Sequence, residues 1–170
     1  MRGQPVRRLW WFGGAAVVLV GVIVAVLVWP SSKAAPYRPP TRARVYNAFT
    51  VCLLTGPQGI AGSDAAPVWA GVRQAANSMN DQAQYLSAVA SPETVGSVTP
   101  FANTLIQQQC GVVVAVGPVE VATVESIAPD NLKTRFVVVG SGSASANVRQ
   151  VADASTSAVA SAVQAAVAGG

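Results

Sequence analysis

The stretch from Thr50 to Ala76, TVCLLTGPQGIAGSDAAPVWAGVRQAA, most constrains what this chain can fold into. Val51, Cys52, Leu53 and Leu54 form a short continuous apolar run, the pattern of a strand covered on both faces. Gly56, Gly59 and Gly62 loosen the backbone just beyond it. Asp64 is a good helix N-cap, and Pro67 falls in the first turn, where a missing N–H costs little. Val68, Val72, Ala75 and Met79 then recur on one helical face. The stretch predicts a buried strand, a Gly-rich turn and an amphipathic helix over 64–79, the opening unit of a doubly wound sheet.

The same alternation continues. Residues 49–55, 84–89, 112–117 (VVVAVG) and 136–140 (FVVVG) read as strands, and 148–151 as a weaker one. Pro100 is expected to open or kink a second helix that carries Phe101, Leu105 and Ile106 to Gln109. Pro118 to Ala128 reads as a short helix, and Asp153 as the cap of a last helix of Ala, Val and Ser. Strand–helix alternation with right-handed crossovers predicts an α/β fold. It is a single doubly wound, mostly parallel sheet in a Rossmann- or flavodoxin-like three-layer lobe over residues 47–170. The length supports one such domain with one core.

Upstream, the uncharged segment 9–29 approaches the ~20 residues that cross a ~30 Å hydrocarbon core. Trp10, Trp11 and Trp29 bracket it as interfacial anchors. It is expected to be an uncleaved signal anchor after a basic cytoplasmic tail, residues 1–8. A cleaved signal peptide with Ser32-Lys33-Ala34 near its site is the alternative. No Cys sits just after the apolar run to carry a lipid. Residues 30–46, with Pro36, Pro39 and Pro40, read as an extended linker. The domain is thus expected on the extracytoplasmic side of a cell membrane, held by one helix.

Composition excludes more than it selects. The formal charge is +4, but Arg2, Arg7 and Arg8 precede the apolar segment, so the basic excess reports topology and not nucleic-acid binding. There is no His, which removes the commonest general base and metal ligand. The Gly-rich loop has neither Walker nor GxGxxG spacing, and no nucleophile elbow is present. An enzyme is therefore not expected, nor a cofactor or metal.

The order LLTGPQGI, WAGVRQAA, VVVAVGP and APDNLKTRFVVVG resembles the N-terminal lobe of the basic membrane protein (BMP) family of substrate-binding proteins, over roughly Val51 to Gly140. The resemblance implies a type I periplasmic-binding fold, an extracytoplasmic place and an ABC permease as partner. It does not imply nucleoside binding. The family follows its first Gly-Ile with acidic residues and then Ser-Phe-Asn. Here Gly59-Ile60 is followed by Ala61-Gly62-Ser63-Asp64-Ala65-Ala66, without the stacking Phe.

With strand order second-first-third-fourth-fifth, a ligand crevice is expected between the first and third strands, beyond their carboxyl ends. Gly56, Gln58, Gly59, Ser63 and Asp64 would line it from one loop, Gly117, Pro118 and Glu120 from the next, and Ser141 and Ser143 from a third. These residues suit a small polar ligand held weakly, with a second lobe in trans or a partner to close over it. The competing reading is a membrane-tethered interaction domain that kept the lobe and lost the ligand. In that reading the Gly-rich loop is only a tight turn, Trp69 covers the sheet edge, and Glu120 and Glu125 face solvent. Cys52 falls in the first strand and Cys110 just before the third, its neighbour in this order, so a disulfide between them is expected, with two buried thiols as the alternative.

Overall fold

The computed structural model describes residues 47–169. The expected basic tail, membrane span and Pro-rich linker lie outside the described residues. Among the described residues no helix is long and apolar enough to cross a membrane.

The described residues form five strands and four helices, alternating except that β5 follows β4 directly: β1 (Thr50–Thr55), α1 (Ala65–Met79), β2 (Gln82–Ser87), α2 (Val95–Gln107), β3 (Val112–Val116), α3 (Pro118–Ile127), β4 (Arg135–Val139), β5 (Val148–Val151) and α4 (Thr156–Ala168). Short 3₁₀ turns occupy Gly59–Ala61 and Ala128–Asp130. The strands form one sheet in the order β2-β1-β3-β4-β5, and every pairing is parallel.

Continuous apolar strands need two cores, because alternate side chains point to opposite faces. Val51, Leu53, Val112, Val114, Val137 and Val139 meet α1 and α4 through Val68, Val72, Val159 and Val163. Cys52, Leu54, Val113, Ala115, Phe136 and Val138 meet α2 and α3 through Val98, Leu105, Val121 and Val124. α1 and α4 pack closely because Gly71 has no side chain. A Cβ there would lie 2.7 Å from the Thr156 carbonyl oxygen and 2.8 Å from Val159 Cβ.

Cys52 and Cys110 form a disulfide, with Cα atoms 5.9 Å apart. β1 and β3 are neighbours, and Cys110 sits just before β3, so the chain brings the two together unstrained by distance. Both are buried, and the Gln84 amide nitrogen lies 3.1 Å from Cys52 Sγ.

Several local expectations are corrected. α2 begins at Val95, not at Pro100. Thr94 Oγ1 accepts from Ser97 N–H and Ser97 Oγ accepts from Thr94 N–H, a capping box that fixes the start one turn and more upstream. Pro100 is carried inside the helix on an exposed position. Asp64 stands at the N-cap of α1 without a side-chain cap bond, because it has αR backbone and its carboxylate accepts from Ser63 Oγ instead. Asp153 does not cap α4. It accepts from Ser155 N–H and Oγ, and Ser155 in turn caps the helix through Ala158 N–H. β2 lies two residues earlier than expected, since this half-exposed edge strand carries little apolar periodicity to place it.

Candidate functional site

β1 leads to α1 on one face of the sheet, whereas β3 leads to α3 on the other. The chain therefore parts at the carboxyl ends of β1 and β3, and the opening left there is the usual ligand crevice of such sheets. A cavity of about 260 Å³ lies at that point. Gly56, Gln58, Gly59, Ser63 and Asp64 line it from the β1 loop, and Gly117, Pro118 and Glu120 from the start of α3. The structure thus brings eight of the ten expected residues together, with Pro57, Gly62, Ala65, Val116 and Glu93 beside them.

Ser141 and Ser143 are not among them. β4 and β5 are parallel neighbours joined by residues 140–147 without a helix, so this loop must run back to the start of β5 at once. Gly142 packs against Val138 and Val121, and Ser143 N–H donates to the Glu125 carboxylate on α3. Asn147 then anchors the return by donating to the carbonyls of Ala128, Asn131 and Thr134. The expectation of a third wall from this loop is corrected on that ground, and so is that of a freely solvated Glu125, which is half-buried.

Glu120 lines the crevice as expected, but it does not face solvent as the competing reading had it: it is 1% exposed, in the first turn of α3. Its carboxylate folds into space that two glycines vacate. A Cβ on Gly56 would lie 3.4 Å from Glu120 Oε1, and one on Gly117 would collide with the carboxylate. Gly117 also has φ +114°, a conformation that side chains other than hydrogen resist. Glu120 Oε1 has no hydrogen-bond partner among the described residues.

Burial pushes the Glu120 carboxyl from its ordinary 4.5 to about 7. Its own backbone N–H pulls the other way, while the nearby charge of Glu93 raises it further. Glu93 comes from the exposed segment between β2 and α2, and its Oε1 would lie 3.5 Å from the same Gly56 Cβ. Sequence reasoning missed Glu93. The only signal was positional: β2 is parallel to β1, so the loop after it must end at the same edge of the sheet.

Trp69 lies away from this crevice. Its ring meets Tyr85 of the edge strand β2 edge-on, with centroids 5.4 Å apart and planes at 66°, so it covers the sheet edge as expected. No group of three or more His, Cys, Asp or Glu side chains is placed to hold a metal ion among the described residues.

No protein-family model matches this chain, and no curated protein sequence matches it. Among solved structures it is similar to a fragment of a lipoprotein candidate from Peptoclostridium difficile 630. The TM-score is 0.56 at 14% identity, over 71% of this chain and 97% of that one. It is also similar to a transcriptional activator of the comK gene from Bacillus halodurans. There the TM-score is 0.50 at 11% identity, over 59% of this chain but only 33% of that one. A solute-binding protein of an ABC transporter system from Aeropyrum pernix K1 gives a TM-score of 0.47 at 14% identity, over 60% of this chain and 28% of that one. At such identities the first two likenesses establish the α/β lobe and assign no role to any residue.

Proposed function

We propose that this chain is a membrane-tethered, extracytoplasmic solute-binding lobe and not an enzyme. The observation that carries the reading is the crevice at the strand-order reversal, lined by backbone, hydroxyl and carboxyl groups, with the buried, unpartnered Oε1 of Glu120 in its wall. A protein gains nothing in stability from burying an acid without a partner, so the arrangement suits a group reserved for a ligand. The Cys52–Cys110 disulfide supports an oxidising compartment outside the cytoplasm, in keeping with an anchor at residues 9–29. The resemblance to one lobe of BMP-type receptors supports an ABC permease, or a second lobe in trans, as the partner that completes the cleft.

The crevice lies below the ~300 Å³ at which ordinary small-molecule sites begin. It presents no aromatic face among its lining residues. The ligand is therefore small and polar, its hold by one lobe weak, and nucleosides are poor candidates. Calorimetry on the full-length chain in detergent tests this, with a panel of small polar solutes and with nucleosides. Weak binding of a small solute, abolished by the crevice-filling variant Gly56→Leu without loss of fold, is expected. Tight stoichiometric nucleoside binding would refute the ligand class. Silence toward every solute would favour the interaction-domain reading.

A further inference from the structure

We propose that the crevice takes a small organic cation, a protonated amine or amidine group seated between Glu120 and Glu93. This rests on the reading of the crevice as a ligand site and names the chemistry of its occupant.

Charge comes first. Three carboxylates, Asp64, Glu93 and Glu120, line the crevice, and no Lys or Arg does. A Gly-rich loop beside the N-termini of two helices would ordinarily favour an anion. Here the first turn of α3 already holds its own acid, Glu120, and a second carboxylate faces it. An incoming anion would meet like charge at short range, with no cation to offset it.

The second observation is independent of that count. Glu120 Oε1 is buried, lines the crevice and lacks a partner among the described residues. An ionised carboxylate accepts hydrogen bonds and cannot donate them, so the group that completes it is a donor. A donor that also carries positive charge relieves the repulsion between Glu120 and Glu93, whereas a neutral hydroxyl does not. A hard divalent metal ion is a poorer fit, since it requires six or more oxygen ligands or a near-octahedral set. The described residues hold no cluster that supplies one. A planar or tetrahedral N–H cation needs only two acceptors at the right reach, and Pro57, Pro118, Ala65 and Val116 offer it apolar contact.

Binding then couples to protons. A cation stabilises ionised Glu120, so occupancy draws its titration downward and affinity rises with pH through about 7. The other titratable groups facing the crevice are Glu93 and Asp64.

The test uses the full-length, isotope-labelled chain in nonionic detergent and follows the amide resonances of Gly56, Gly59 and Gly117. The probes are ethylammonium and acetamidinium, with propanol as the neutral control and acetate as the anionic one. The expected result is saturable shifts at these glycines with both cations near pH 8. The affinity should fall by about tenfold or more near pH 5, and likewise in Glu120→Gln and in Glu93→Gln. Glu93 is exposed, so its variant keeps the test valid should the buried one fold poorly. No shift with either cation overturns the inference, as does a cation response that both variants leave unchanged. If propanol or acetate then moves the same glycines, the solute-binding lobe survives without its cation preference. Silence of all four probes, joined to silence of the wider solute panel, removes both readings.

Discussion

Replacing Glu120 by Gln should make the lobe more stable at neutral and basic pH and leave it nearly unchanged in mild acid. The unfolded chain holds this carboxyl near its ordinary 4.5, whereas the folded lobe holds it at about 7. Between those values the folded state keeps a proton that the unfolded state has lost. Stability therefore falls as pH rises, by up to about 1.4 kcal/mol per pH unit, because the unfolded state binds fewer protons. The contribution is fully present below about 4.5, and the loss is complete once pH has passed the folded value near 7. Over the whole window it amounts to about 3 kcal/mol, a large share of the 5–15 kcal/mol by which a domain is ordinarily stable.

Gln keeps the shape of the neutral acid and never ionises, so its variant should escape the decline. Urea denaturation of a chain spanning residues 43–170, which includes the whole described lobe, followed by far-ultraviolet circular dichroism at a series of pH values measures the difference. The variant and the parent should coincide near pH 4.5 and separate by about 3 kcal/mol near pH 8, the variant being the more stable. Asp153 does not blur the window, since hydrogen bonds from Ser155 hold its carboxyl below the ordinary 3.8. A parent whose stability is flat or rises from pH 5 to 7.5, or a variant that declines in parallel with it, would refute the account of Glu120 as a buried, poorly compensated acid.

Reduction of Cys52–Cys110 releases a separation of 58 residues and should lower unfolding free energy by about 4 kcal/mol on the chain-entropy account; alkylation of denatured, unreduced protein should find no free thiol. Gly71→Val should cost about 1–3 kcal/mol, because the new side chain meets the Thr156 carbonyl and Val159, and the loss should appear in equilibrium denaturation as a lower midpoint. Gly117→Ala combines a resisted φ with a collision against Glu120, so it should cost about 1–3 kcal/mol in the same assay and weaken any ligand response at the crevice. N-terminal sequencing of the protein recovered from membranes should begin at or near Met1, and a start near Ala35 would show cleavage instead of anchoring.

The sheet was legible because its central strands are. β1, β3 and β4 are unbroken apolar runs, which only a strand covered on both sides accommodates, and the helices between them set the order. The lining of the crevice by eight of the expected residues followed from that order alone, since the loops after β1 and β3 have nowhere else to go. One edge was less legible. β2 is half exposed, so its limits depend on its pairing partner and not on its own pattern, whereas β5 falls at Val148–Val151 as expected. The start of α2 was hidden because Thr94 and Ser97 cap each other with hydroxyls, where the familiar box has Glu or Gln at the third position. Ser141 and Ser143 were misplaced because a parallel pair ordinarily implies a longer crossover, and β4 and β5 have none.

Glu120 shows why the chemistry of the crevice was harder to read than its position. An acid in the first turn of a helix ordinarily faces water and serves the helix dipole, and its neighbours Val119 and Val121 do nothing to contradict that. What turns it inward is absence: Gly56 from one loop and Gly117 from another leave the volume its carboxylate fills. Those two glycines are 61 positions apart and become neighbours only when β1 and β3 pair. Read singly, each is a turn residue. Read across the sheet, they define a pocket whose wall is acidic. The same pairing that creates the opening therefore fixes the sign of its charge, and an occupant that ignored the sign would bind against the field of Glu120 and Glu93.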